Sequence, residues 1–230
     1  MALVVAGQAT VSAVPEEVGI QVRPVTPDAL VEELAERIAS APAAPWTRVA
    51  VDGAPHSGTG DLADALIEPL RLRGRHAIRV RVADYLRSAS LRFEHGRHDP
   101  DAYYSDWIDF NGLRREVLEP LAAGGTGEVL PALWDAEADR SPRKDRVHLP
   151  ERSIAVVEGP LLLGAGLAFD FAVHLWLPGA ALERHLPAED RWKLPAFERY
   201  SEEVGPERIA DHVVRTDRPG RPAVVDDLDA

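Results

Sequence analysis

Residues 49–66 read VAVDGAPHSGTGDLADAL, and the rest of the chain is interpreted outward from them. An apolar run, a glycine-containing loop and an amphipathic stretch follow one another, the strand–loop–helix layout of a phosphate-binding loop. In the pattern G-x-x-x-x-G-K-[ST], backbone amides cradle phosphates, the lysine reaches their outer oxygens and the hydroxyl residue holds a metal ion. Gly53 and Gly58 occupy the two glycine positions at the correct spacing, but Thr59 and Gly60 stand where the lysine and the hydroxyl residue belong. Pro55 removes one amide from the cradle. Asp61 places a carboxylate in the first helical turn, where the helix dipole favours negative charge. Two readings stay open. Asp61 caps the helix and fills the anion site itself, or Ser57, Thr59 and the amides of Gly53, Gly58 and Gly60 act as weaker phosphate donors. Losing a charge-assisted contact of about 1.5–3 kcal/mol is tolerable in binding; losing it where charge develops in a transition state is harder to absorb.

Upstream, VTPDALVEELAERIAS (25–40) repeats Leu30, Leu34 and Ile38 at helical spacing behind a Thr-Pro-Asp start. Residues 1–26, with Pro15 and Pro24, read as an irregular or strand-like lead-in, and APAAP (41–45) as a loop. Downstream, DLADALIEPLRLRG is a helix with Pro69 expected to kink it, and HAIRVRVADYL alternates as a strand from Ala77 to Val82. Residues 87–107 are aromatic, charged and aperiodic, an insertion; FNGLRREVLEPLAAGG (110–125) has helical periodicity. After a turn-rich segment, SIAVVEGPLLL and FAVHLWLP carry continuous apolar runs, the mark of strands buried on both faces. Residues 179–200 are helical but interrupted by Pro187 and Pro195, and PERIADHVVRTDRP gives a short helix, a strand and a loose tail. Strands alternating with helices predict an α/β fold with a mostly parallel sheet, its ligands at the carboxyl ends of the strands. The expected organisation is a lead-in and helix over 1–45, a single domain over 46–220 and a tail over 221–230.

The chain has 230 residues, 45% of them hydrophobic, with 38 acidic side chains against 26 Lys and Arg and a net charge of −12. That balance argues against a nucleic-acid partner. The absence of cysteine removes disulfides and thiolate chemistry. No apolar run approaches the roughly 18–20 residues of a membrane span, and the N-terminal residues lack the basic region of a secretion signal, so a cytoplasmic location is expected. No HExxH pattern, nucleophile elbow or GxGxxG fingerprint is present. Lys144 and Lys193 are the only lysines.

Further segments add specificity. LRFEHGRHDPDAYYSDWIDFNGLRREVLEPL (91–121), LPALWDAEADR (130–140), IAVVEGPLLL (154–163) and ERYSEEVGPERIADHVVRTDRP (198–219) follow the phosphate loop in order. Together they resemble the uridine kinase-like group of P-loop kinases over residues 46 to about 219. The resemblance implies a three-layer P-loop nucleoside-kinase fold, ATP and Mg²⁺ as cofactors, and transfer of the γ-phosphoryl group to a nucleoside or similar small hydroxyl acceptor. It implies a base for the attacking hydroxyl in Val82-Ala83-Asp84-Tyr85-Leu86. Asp84 is that base if Leu86 matches the family's phenylalanine, and Ala83 holds its position if Tyr85 does. Glu158 matches the family's Glu-Gly acid, catalytic and metal-side, with a partnered structural acid as its alternative; Asp52 is the second metal candidate. Arg184 and Arg191 match lid residues that contact phosphates, and Lys193 lies close enough in sequence to supply the missing ammonium. Asp135 and Arg140 match an acceptor-contacting segment in which Asp139 replaces a histidine. Tyr103, Tyr104 and Trp107 of the insertion, with Asp99, Asp101 and Asp106, are candidates to stack a base and hold ribose hydroxyls, a packed loop with solvated acids being the alternative; Arg97 of the same insertion is a further substrate-binding candidate, and His95 lies beside it. A homo-oligomer is compatible with this reading. A kinase fold that binds a nucleotide, metabolite or partner without phosphoryl transfer is the alternative.

Overall fold

The computed structural model describes residues 21–41 and 45–227. The expected lead-in through residue 20, with Pro15, the centre of the 41–45 loop and residues 228–230 of the tail lie outside the described residues.

In chain order the elements are β1 (Gln21–Pro24), α1 (Pro27–Ser40), β2 (Thr47–Gly53), α2 (Thr59–Leu72) and β3 (Ala77–Arg81). A 3₁₀ turn over Val82–Tyr85 follows, then α3 (Ala89–Arg92), α4 (Pro100–Ser105), α5 (Phe110–Leu113) and a π-helical turn over Arg114–Leu118. The second half holds β4 (Glu128–Val129), β5 (Val147–His148), β6 (Ile154–Gly159), β7 (Phe171–Trp176) and α6 (Gly179–His185). After a 3₁₀ stretch over Ala188–Lys193 come α7 (Leu194–Glu203), α8 (Pro206–Ile209), β8 (His212–Arg215) and β9 (Ala223–Asp227).

Among the described residues seven strands form one sheet in the order β1-β9-β8-β7-β2-β6-β3, and β4–β5 is a separate hairpin-like pair. The five central strands run parallel, with β2 between β6 and β7. Their apolar runs arise because both faces are covered. On one face Val49, Val51, Ile154, Val156 and Val173 pack under α1 and α2 through Leu30, Leu34, Ile38, Leu62 and Leu66. On the other, Ala50, Val80, Ala155 and Val157 meet Leu113, Val117, Leu182, Phe197 and Tyr200. The result is the expected three-layer α/β arrangement with a mostly parallel sheet. No helix among the described residues is long and apolar enough to cross a membrane.

The element set extends past both ends of the 46–220 unit. Helix α1 seals one face of the sheet beside α2, so residues 27–40 belong to its core. Residues 223–227, read as tail, form β9, which pairs antiparallel with both β8 and β1. Three further readings change. Helix α2 continues through Pro69, which lies close to the end, so only about one turn follows the amide that is missing. The 87–107 insertion holds α3 and α4, the latter capped by Asp99 accepting from the Ala102 amide at 2.8 Å. The 110–125 helix breaks into α5 and the π turn ahead of Pro120.

Candidate functional site

The loop from Gly53 to Gly58 lies at the carboxyl end of β2, the central strand. Gly58 takes a left-handed backbone (φ 97°) as the residue before α2, which glycine adopts without strain. Among the described residues no side chain caps α2, and Asp61 is exposed in its first turn, so the reading in which Asp61 fills the anion site is set aside. The first-turn amides remain open to a ligand, the arrangement that binds phosphates at helix N-termini. Ser57 is 7% exposed and its Oγ has no hydrogen-bond partner. That Oγ turns back beneath the loop, 2.5 Å from where a Cβ on residue 53 would lie, so a side chain at residue 53 would displace it.

Thr59, in the lysine position, turns into the protein instead of out toward a ligand. Its hydroxyl donates to Glu158 Oε2 at 3.0 Å. The other oxygen, Oε1, accepts from Arg79 Nη2 at 2.8 Å, and Arg79 Nη1 reaches Asp64 of α2 at 2.5 Å. Glu158, at the end of β6, is 8% exposed and has both oxygens engaged, which answers the cost of burying a carboxylate. The guanidinium of Arg79 covers Gly60: a Cβ there would lie 2.7 Å from Nη2.

Asp52 is fully buried. Its Oδ1 accepts from the Leu162 amide at 2.9 Å; its Oδ2 accepts from the Tyr200 hydroxyl at 3.1 Å and pairs with His174 Nδ1 at 2.7 Å. Burial, reinforced by the neighbouring Asp52 charge, holds the Tyr200 hydroxyl well above the ordinary phenol range. Strand alternation sends Asp52 to the Ala50 face and Glu158 to the Val156 face. The two candidate metal acids therefore project to opposite sides of the sheet, and the pairing of Asp52 with Glu158 at one metal is corrected. Among the described residues no three carboxylate or histidine side chains converge as a metal cluster. With Glu158 engaged, Asp52 satisfied internally and glycine at residue 60, the side chains present do not fit a protein-held Mg²⁺.

Asp84, in the 3₁₀ turn after β3, is held by Arg81 at both oxygens, at 2.7 and 2.6 Å. Its carbonyl accepts from the amides of Leu133 and Trp134 at 3.0 and 2.9 Å, which brings the 130–140 segment alongside. Between them lies a cavity of about 720 Å³ lined by Arg79, Arg81, Asp84, Trp134, Asp135 and Lys144, among others. Asp135 Oδ1 accepts from the amides of Glu137 and Ala138, both at 3.0 Å, so it also folds its own turn. Arg140 pairs with Asp135 only through the backbone; its side chain is exposed and lies outside the cavity lining. Asp139 accepts from Trp134 Nε1 at 3.2 Å and from the Ala89 amide at 2.7 Å.

The insertion is packed. Tyr103 is 7% exposed and makes edge contacts with Trp107, Trp192 and Phe197, at ring-centroid distances of 5.1, 5.6 and 5.9 Å. Tyr104 faces away, its hydroxyl on Glu203 at 3.1 Å and its ring under Arg199. The two tyrosines thus do not form a joint stacking platform; core packing has claimed Tyr103. Arg97 lies over the Phe93 ring at 4.6 Å, and both it and His95 are solvent-exposed.

Arg184 at the end of α6 and Arg191 in the 188–193 stretch are exposed, as lid cations would be. Lys193 pairs with Asp190 at 2.5 Å, and Asp190 reaches His56 of the phosphate loop at 3.7 Å, so this segment leans over the loop. A second cavity, about 480 Å³, opens on the other flank of the loop between His56, Ser57, Asp61, Val31, Thr216 and Arg218.

Arg79, Arg81, His174 and Tyr200 are missing from the sequence-derived candidates. The one visible signal is Arg-Val-Arg at 79–81, which puts two cations on the same face of a strand feeding the Asp84 turn.

Compared with protein-family models and with curated proteins, the chain matches none. Among solved structures it is similar to one described as a possible uridine kinase from Bacillus stearothermophilus, with a TM-score of 0.66 and 22% identity over 80% of this chain and 96% of that one. It is also similar to a candidate fructose transport system kinase from Silicibacter sp. TM1040, with a TM-score of 0.53 and 24% identity over 77% of this chain and 89% of that one. Both likenesses show the P-loop kinase fold.

Proposed function

We propose that the protein moves the γ-phosphoryl group of ATP to a hydroxyl of a small acceptor, a nucleoside being the acceptor class that the sequence resemblance and the uridine-kinase neighbour favour. One observation carries the reading. Arg79 covers Gly60 of the phosphate loop and also lines the cavity that contains Asp84 and Asp135, so the two half-sites meet across a single guanidinium. ATP, when bound, supplies the phosphoryl group. The open amides at the start of α2 hold its phosphates, and the 480 Å³ cavity receives its base. Arg184 and Arg191 close from the lid side. In the 720 Å³ cavity, Asp84 accepts a hydrogen bond from the acceptor hydroxyl, with Arg81 fixing the carboxylate in place. Asp135 and Lys144 contact the rest of the acceptor.

A second reading has its own support: Glu158 and Asp84 each have both oxygens engaged within the protein, as in a fold that binds nucleotide without transfer. The test is transfer from γ-labelled ATP across a panel of nucleosides, sugars and pantothenate, with Asp84→Ala alongside. Transfer to one acceptor that disappears in Asp84→Ala supports the phosphotransferase. ATP binding with no transfer to any acceptor gives the second reading instead.

A further inference from the structure

The mismatch between this site and a metal ion has a particular shape. Resting on the nucleotide-binding reading above, we infer that Arg79 is an internal counter-ion standing where a metal and its ligands would be, and that the loop binds the phosphates of ATP without a divalent cation.

Three observations converge. First, residue 60 follows the lysine position, where a side-chain hydroxyl would face a metal, and its lack of a side chain is what admits the guanidinium. A Cβ there would stand 2.7 Å from Arg79 Nη2 and 3.5 Å from Cζ. Gly60 and Arg79 are thus a coupled pair, since a side chain at residue 60 and the present position of Arg79 exclude each other. Second, the acid nearest the loop is already neutralised. Glu158 receives Arg79 on one oxygen and Thr59 on the other, at 2.8 and 3.0 Å, in surroundings where it is 8% exposed, while the other terminal nitrogen of Arg79 is held by Asp64 at 2.5 Å. An anion arriving without a metal would otherwise meet a bare carboxylate; here it meets a compensated one. Third, the loop retains donors that need no metal, the uncapped first-turn amides of α2, and beside them the Ser57 hydroxyl is more than nine-tenths buried, without a partner and turned toward Gly53. Arg79 Nε is likewise buried without a partner.

The experiment is ATP binding by calorimetry to the full chain, in EDTA and in excess Mg²⁺. Binding in EDTA within about threefold of that in Mg²⁺ is expected, since the acid nearest the loop is offset without a metal. In Arg79→Ala, Glu158 is released. Binding in EDTA should weaken by about tenfold or more, and Mg²⁺ should recover part of it. Gly60→Ala, which displaces the guanidinium while leaving its charge, should give the same dependence in the same direction and serves if Arg79→Ala does not fold. Binding that requires Mg²⁺ in the unmodified protein, or an Arg79→Ala protein that binds equally well in EDTA, overturns the inference and leaves the nucleotide site standing. No ATP binding in either condition overturns both.

Discussion

Tyr200 joins two parts of the molecule through one oxygen: its hydroxyl donates to Asp52 at 3.1 Å and accepts from the Leu163 amide at 3.0 Å. Tyr200→Phe removes both bonds and leaves a buried amide without an acceptor. The expected loss is about 1–3 kcal/mol of stability, measured by urea unfolding. An unchanged midpoint would remove Asp52 from its place as a structural hub. Gly53→Ala tests the loop in a different way. The new Cβ would lie 2.5 Å from Ser57 Oγ and 3.1 Å from both Leu175 Cβ and Thr59 Cγ2, so the loop must shift. ATP affinity should fall by about tenfold or more while the protein stays folded by circular dichroism. At this scale sequence reading has a definite limit. The spacing of Gly53 and Gly58 is written in the chain, and so is the acid that ends β2. The partners of that acid come from His174 and Tyr200, 122 and 148 residues away, and no local pattern announces them.

The elements divide along the same line. Strands β2, β6 and β7 were legible because a strand covered on both faces must be apolar without interruption, and such a run is short and unambiguous. Strand β9 was not, since its two buried valines, Val224 and Val225, precede Asp226 in a segment that composition marks as loose. The 110–125 helix is shorter than its apolar spacing predicts: α5 runs through Gly112 directly into the π turn and stops after Leu118, ahead of Pro120. Strand β8 carries a testable consequence. His212 is buried, its Nε2 has no partner, and burial, followed by the charge of Arg37, lowers its pKa. The unfolded chain then binds the proton more readily than the folded one, so stability falls as pH drops below about 6.5, the ordinary histidine value. His212→Phe should flatten that part of the pH–stability curve in denaturant unfolding. An unchanged slope would show that other groups set it.

For the whole molecule, the ordering of strands brings Arg79, Glu158 and Thr59 together from β3, β6 and α2, although 79 residues separate the first two. This explains why the fold was far more readable than the site: the fold follows from periodicity, whereas the site follows from register. Restoring the usual loop residues by Thr59→Lys with Gly60→Thr would therefore not be a local repair, since the new side chain at 60 meets Arg79. It is expected to raise ATP binding only when combined with Arg79→Ala, as read by calorimetry on all three proteins.

Among the described residues strand β3 closes one side of the sheet with no neighbour beyond it. A terminal strand of this kind exposes a row of free backbone groups to any other chain, and charged side chains are a common guard against such pairing. Arg79 and Arg81 are the two charged residues of β3. The pair that lines the 720 Å³ cavity is therefore also placed to guard the border of the sheet against self-association. Replacing both by valine should produce a protein that forms fibrous or amorphous aggregates on warming, detected by light scattering, at temperatures where the parent chain stays clear.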